Sequence, residues 1–126
     1  MRSVIDASYL MEFLENSSLE RFRWILDSEL VAPSLLKYEY NNVFLSNRRL
    51  GDFVVVKCRR IVSLLLLEYV SIDDEEEEIF SIANDNNLTF YDASYLHIAV
   101  KRRIPIASYD AQIIRAAKNF SVEVIP

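Results

Sequence analysis

Four carboxylates stand out by where they fall in the hydrophobic pattern: Asp6, Glu39, Asp92 and Asp110. Asp6 and Asp92 each open the same pentapeptide, Asp-Ala-Ser-Tyr-Leu, and Asp110-Ala111 repeats its first pair. Each aspartate heads the inward face of an apolar helical pattern. Asp6 aligns with Leu10 and Phe13, Asp92 with Leu96 and Ala99, and Asp110 with Ile113, Ile114 and Ala117. Helix capping accounts for any one of the three, since an N-cap aspartate contributes about 0.5–2 kcal/mol. Glu39 has no such account. It sits in mid-helix on the stripe defined by Leu35, Leu36 and Val43, where a carboxylate must find a cation, a hydrogen-bonded cluster or a metal.

No inward Lys or Arg is evident to neutralise the four acids, so a pocket holding them would repel itself. A divalent cation is the simplest remedy. An all-oxygen donor set selects Mg²⁺ or Mn²⁺ over Zn²⁺. His97, the single histidine, is five residues past Asp92 and off its face, which makes it a structural or surface residue. Cys58, the single cysteine, has no acid or base partner nearby in sequence and reads as buried.

The elements that must position these residues follow from the periodicity. Short apolar runs at Ser3–Ile5, Leu30–Ala32, Tyr69–Ile72, Ile104–Ala107 and Val122–Ile125 read as strands. Between them lie helices opening at Asp6, after Asn16-Ser17-Ser18, at Pro33-Ser34, at Asp52, in the acidic run 73–78, at Asp92 and at Asp110. The third ends near Leu50-Gly51 and the fourth runs through to Leu67. Strands apolar on both faces, alternating with helices, mean a parallel sheet covered on both sides, hence the α/β class. Ligands of such sheets bind beyond the carboxyl ends of the strands, where Asp6 and Asp110 fall.

The chain has 126 residues, of which 52% are hydrophobic, enough for one domain with a real core and too apolar for disorder. A single cysteine excludes an internal disulfide and fits a reducing cytoplasm. No run approaches the roughly 20 apolar residues of a membrane span, and the N-terminus does not read as a signal peptide. The net charge of −5 argues against a nucleic-acid partner only at first sight, because the run Asp73–Glu78 alone holds six acids. Basic residues cluster at Arg48-Arg49, at Lys57, Arg59 and Arg60, and at Lys101-Arg102-Arg103. Taken singly, each cluster reads as a solvated helix face.

Together these segments resemble the PIN-domain ribonucleases, and within them the VapC toxins of type II toxin–antitoxin (VapBC) pairs. VIDASYLMEFL (4–14) is similar to the family's first strand and first acid. LVAPSLLKYEYNNVF (30–44) is similar to its second strand and helical glutamate. LTFYDASYLHIAV (88–100) and IPIASYDAQIIRAAKNFSVEVI (104–125) resemble its third and fourth acid segments. The order, the distances and the chain length make the match specific. The resemblance implies a single PIN domain over residues 1–126. Its fold would be a three-layer α/β/α sandwich with a mainly parallel sheet of about four to five short strands and about seven helices.

The resemblance also implies catalytic, metal-binding roles for Asp6, Glu39, Asp92 and Asp110, a supporting hydroxyl at Ser108 and, more weakly, one at Ser8. It further implies Mg²⁺- or Mn²⁺-dependent endonucleolytic hydrolysis of RNA, a VapB-like antitoxin, a homodimer and a cytoplasmic location. Two departures bear on the site. Ala111 replaces a further acid that some members carry, which leaves the number of metals open. The loop before the fourth strand is Lys101-Arg102-Arg103 where a glycine is usual, either an RNA-facing edge or a helix C-terminal charge preference.

Other readings fit less well. A haloacid dehalogenase-type phosphotransferase needs a second Asp where Ser8 stands, and a receiver domain needs an acidic pair and a late Lys that are missing. An RNA-processing or quality-control PIN nuclease, and a PIN-fold binding module without activity, share the same fold. Degenerate modules usually lose an acid, and this chain keeps all four.

Overall fold

Four parallel strands form one sheet in the order β3-β2-β1-β4: β1 Arg2–Ile5, β2 Glu29–Pro33, β3 Leu67–Val70 and β4 Ile106–Ala107. The structure, a computed structural model, describes residues 1–46 and 51–126. Arg48-Arg49 and the predicted helix end at Leu50 lie outside those residues. Helices α1 Ala7–Glu15, α2 Leu35–Ser46, α3 Gly51–Leu64, α4 Glu76–Asn86, α5 Phe90–Arg102 and α6 Ala111–Asn119 connect and cover the strands, with one 3₁₀ helix at Glu20–Asp27. This is the α/β/α sandwich expected of the sequence, with four strands and seven helices among the described residues. None of these helices is long and apolar enough to cross a membrane.

The sheet is central because β1, β2 and β4 are buried on both faces beyond the first residues of β1 and β2. Val4, Ile5, Leu30, Val31, Ala32, Ile106 and Ala107 are all fully buried. In register, Val4 pairs with Val31 on one side and with Ile106 on the other, so the middle of the sheet is continuous aliphatic surface. Each such side chain contributes about 1.5–3 kcal/mol by leaving water. Helix α5 packs on this surface and is buried from Ala93 through Ala99.

Several predicted boundaries shift, each for a physical reason. The second helix is 3₁₀, and its inward residues Phe22, Ile25 and Ser28 recur every three residues, the period at which 3₁₀ side chains eclipse. The third strand begins at Leu67 and ends at Val70, earlier than predicted, because a short apolar run alone does not separate helix end from strand start. Helix α4, opened in the acidic run, ends at Asn86 and is closed by Asn87 in the left-handed region. Residues 122–125 make one isolated parallel bridge, Val124 to Ile106, instead of a full strand. Arg103 takes the left-handed position (φ +55°) that closes α5, a conformation glycine occupies at no steric cost.

The chain runs from β1 to β2 to β3 on one side, then returns to place β4 on the other side of β1. That reversal opens a crevice at the carboxyl ends of β1 and β4, the position at which ligands sit in open parallel sheets.

Candidate active site

Asp6 and Asp110 leave the sheet on the two sides of this crevice. Asp6 follows β1 directly and its N–H donates to the Ala107 carbonyl of β4 at 3.1 Å. Its side chain caps α1 by accepting from Tyr9 N–H at 2.9 Å, and only 4% of the residue is exposed. Asp110 caps α6, with Oδ1 accepting from the N–H groups of Gln112 (2.8 Å) and Ile113 (3.2 Å). Capping is therefore real at both aspartates and does not exclude a second role.

Asp92 departs from its predicted place. Thr89 caps α5, accepting from Asp92 N–H at 3.1 Å, so Asp92 stands in the first turn. Glu39 lies one turn into α2, half-buried between buried Leu36 and half-buried Val43.

Two serines join the first and fourth acids. Ser8 Oγ donates to Asp6 Oδ1 at 2.7 Å and accepts from Tyr109 N–H at 3.0 Å. Ser108, itself buried, donates to Asp6 Oδ2 and accepts from Asp110 N–H at 3.0 Å. The β4–α6 loop is thus fixed to the end of β1 through both oxygens of one carboxylate.

The four acids act on one another electrostatically. Burial raises the Asp6 carboxyl above its ordinary range, against its hydrogen bonds from Ser108, Tyr9 and Ser8, and the charge of Asp110 raises it further. Burial likewise raises Glu39, with Asp92 and Asp6 adding repulsion against the bond from Tyr95. Asp92 is raised by burial and then by Asp110. Among the described residues no Lys or Arg acts on any of these three.

Tyr95 is the residue that sequence reasoning missed. It is the tyrosine of the second pentapeptide, three residues past Asp92 and therefore on the same face of α5. Its hydroxyl donates to Glu39 Oε1 at 2.5 Å, tying α5 to α2. Burial, the Glu39 bond and the charges of Glu39, Asp6 and Asp92 push its hydroxyl far up, so it remains a protonated donor. Tyr9, its counterpart in the first pentapeptide, is fully buried in an aromatic cluster with Phe22, Trp24 and Tyr109 and donates to the Pro126 carbonyl.

The donor set fits a hard divalent cation. It contains carboxylates and hydroxyls but no imidazole or thiolate. Among the described residues, Glu39 Oε2 and Asp110 Oδ2 accept no hydrogen bond. As they stand, no three His, Cys, Asp or Glu of the described residues close on one point tightly enough to hold an ion. The charge of Asp110 opposes ionisation of Asp6 and Asp92, and those of Asp92 and Asp6 oppose ionisation of Glu39.

The other candidates fall outside. His97 is buried and structural, 3.3 Å from Glu75 Oε2, with its imidazole held low by burial. Its Nε2 makes no well-aligned hydrogen bond despite that approach. Cys58 is buried, as expected, and burial pushes its thiol up. Lys101 and Arg102 end α5 at the amino ends of the strands, opposite the crevice. They pair there with Glu75 and with Glu68 (3.0 Å), so their place is a helix C-terminus and not an edge of this site.

The PIN domain model matches residues 3–119 of the chain. The chain belongs to the PIN-domain family. Among its relatives is the exonuclease VapC9 of Pyrobaculum aerophilum, 28% identical over an alignment of 118 residues that covers 92% of this chain and 86% of that protein. The solved structure of PAE2754, also from Pyrobaculum aerophilum, has the same fold. It aligns with a TM-score of 0.76 at 23% identity, covering 99% of this chain and 90% of that one.

Replacing Tyr95 by Phe removes one charge-assisted hydrogen bond and little volume. Residues that hold a metal-ligating side chain commonly cost 10–100-fold when lost. Tyr95→Phe is accordingly expected to weaken Mn²⁺ binding by roughly 10–100-fold, read by titration calorimetry, while circular dichroism stays unchanged. Unaltered affinity would show that Glu39 does not depend on Tyr95 for its position.

Proposed function

We propose that this chain is a Mg²⁺- or Mn²⁺-dependent ribonuclease, a VapC-type toxin built as a single PIN domain over residues 1–126. The observation that carries the reading is that Asp110 raises Asp6 and Asp92 while Asp92 and Asp6 raise Glu39, with no Lys or Arg among the described residues acting on the three. The PIN family membership and the nuclease name of a relative that aligns along most of its length support it.

A divalent ion held by these acids would supply Lewis acidity toward a phosphoryl oxygen and a water nucleophile. The protein's own residues supply position. Ser8, Ser108 and the Tyr9 N–H fix Asp6 at three points, and Tyr95 fixes Glu39. Asp110 is held by its cap and presents its other oxygen, and Asp92 completes the ring from the first turn of α5. Hydrolysis by this route leaves a 5′-phosphate and a 3′-hydroxyl. In the cell a VapB-like antitoxin would cover the acidic site, and two copies of the chain would form the toxin dimer.

The relative's name favours a second mode, attack from an RNA end instead of within the chain. A closed circular RNA separates the two, since only an endonuclease opens it. With Mn²⁺ present, circular and linear RNA are both expected to be cut, and EDTA is expected to stop both. Cleavage that survives EDTA contradicts the metal-dependent reading. An intact circle beside a degraded linear strand assigns exonuclease action instead.

A further inference from the structure

We propose that a groove on the sheet edge beside the candidate active site binds the phosphate backbone of single-stranded RNA running to the acidic centre. The inference rests on the ribonuclease reading for its ligand and on separate residues for its evidence. The groove encloses about 670 Å³ between α2, α3 and β3, and it is lined by Lys37, Tyr40, Arg59, Arg60, Ser63 and Tyr69 among others. None of its lining residues is acidic.

Helix α2 separates it from the site: Lys37, in the first turn, and Tyr40 line the groove, while Glu39 on a neighbouring face of the same helix meets Tyr95. Tyr69 precedes Val70, whose carbonyl accepts from Ser34 N–H at 3.2 Å at the carboxyl end of the sheet. From there the groove follows edge strand β3 toward its amino end, with Arg59 and Arg60 on the α3 wall.

Several cations elsewhere on the chain are matched by carboxylates. Arg2 pairs with Glu29 and Glu68, Arg102 with Glu68, and Lys101 with Glu75. Among the described residues Lys37, Arg59 and Arg60 have no carboxylate within 4 Å, and residues 47–50 contain no acid. Three unpaired cations share one concavity on a chain whose net charge is −5. Lys37 is held over the Tyr69 ring, 4.3 Å from its centroid, so one charge is already in place before a ligand arrives. The hydroxyls of Tyr40 and Tyr69, 3.4 Å apart, add polar groups suited to sugar and phosphate oxygens. Such a wall of cations and tyrosines is the chemistry that tracks a flexible polyanion, and it places positive potential where the acidic centre has none.

The test is binding without cleavage. A fluorescein-labelled single-stranded oligoribonucleotide of about 16 nucleotides is titrated in EDTA against the wild type and a Lys37→Ala/Arg59→Ala/Arg60→Ala variant. Loss of three phosphate contacts is expected to weaken binding on the order of tenfold or more at low salt. It should also flatten the log–log salt dependence by about 2. The charge-preserving Arg59→Lys/Arg60→Lys variant should retain most of that slope, which separates charge loss from misfolding. Equal affinity and equal slope in the triple variant overturn the proposal. So does a triple variant that binds RNA normally but changes oligomeric state, which would make the groove an interface between copies. Because cleavage plays no part in this readout, it can succeed or fail independently of the metal-dependent hydrolysis tested on circular RNA.

Discussion

Asp6→Asn is expected to abolish RNA cleavage while the fold persists with equal or greater thermal stability. Asparagine is as good an N-cap as aspartate, and its Oδ1 can still accept from Tyr9 N–H and Ser8. The amide nitrogen would face Ser108 Oγ, whose hydroxyl can rotate to accept as well as donate. What disappears is one negative charge, 4% exposed, that burial and Asp110 both disfavour. The metal-free protein therefore gains by the change, and a divalent ion loses the acid most firmly held by its surroundings. Removing one preorganised electrostatic group from a reacting site typically costs about 10²–10³-fold in kcat. Single-turnover cleavage should fall at least that far, with Tm unchanged or raised. Cleavage within a few-fold of wild type would remove Asp6 from the mechanism.

The second large effect is a coupling between pH, metal and stability. Asp6, Glu39 and Asp92 all have carboxyls raised in the folded state. Between the ordinary carboxylate range and those raised values, the folded chain binds more protons than the unfolded one. Stability of the metal-free protein must then fall as pH rises through that window. His97 acts with the opposite sign: its lowered imidazole makes the unfolded state bind more protons just below the ordinary histidine range, so its contribution grows as pH rises there. An Asp6→Asn control isolates the carboxylate part. A divalent ion binds the ionised acids and reverses the loss, stabilising by about 2.7 kcal/mol at a concentration 100 times its Kd. Mn²⁺ should thus raise Tm clearly at neutral pH, little at pH values in the ordinary carboxylate range, and hardly at all in Asp6→Asn. A Tm indifferent to Mn²⁺ at neutral pH contradicts the coupling.

Much of this was legible from residue types alone, and the remainder shows where periodicity stops informing. Asp6 and Asp110 follow strands whose apolar runs are unmistakable, so their place at the carboxyl ends could be read directly. Glu39 was visible because a charge on an apolar helical stripe is costly. Asp92 reads as the cap because Asp is the better N-cap residue of the two, and only backbone geometry selects Thr89. The two identical pentapeptides conceal different fates for their tyrosines. Tyr9 joins an aromatic core and Tyr95 binds Glu39, because the difference lies in what α1 and α5 pack against. The Tyr95–Glu39 contact spans 56 positions of sequence and has no local signature. The basic clusters were likewise visible without their locations: topology sends Lys101 and Arg102 to the far end of the sheet, and brings Arg59 and Arg60 to the same groove as Lys37.

The central claim, that four carboxylates form one divalent-cation centre, is tested most directly by anomalous diffraction from crystals grown with Mn²⁺. The account expects manganese density in the crevice between β1 and β4, with ligands drawn from Asp6, Glu39, Asp92 and Asp110, and loss of that density in Asp6→Asn. Manganese bound elsewhere, at Glu75 beside His97 for example, or an empty crevice at millimolar Mn²⁺ would contradict it.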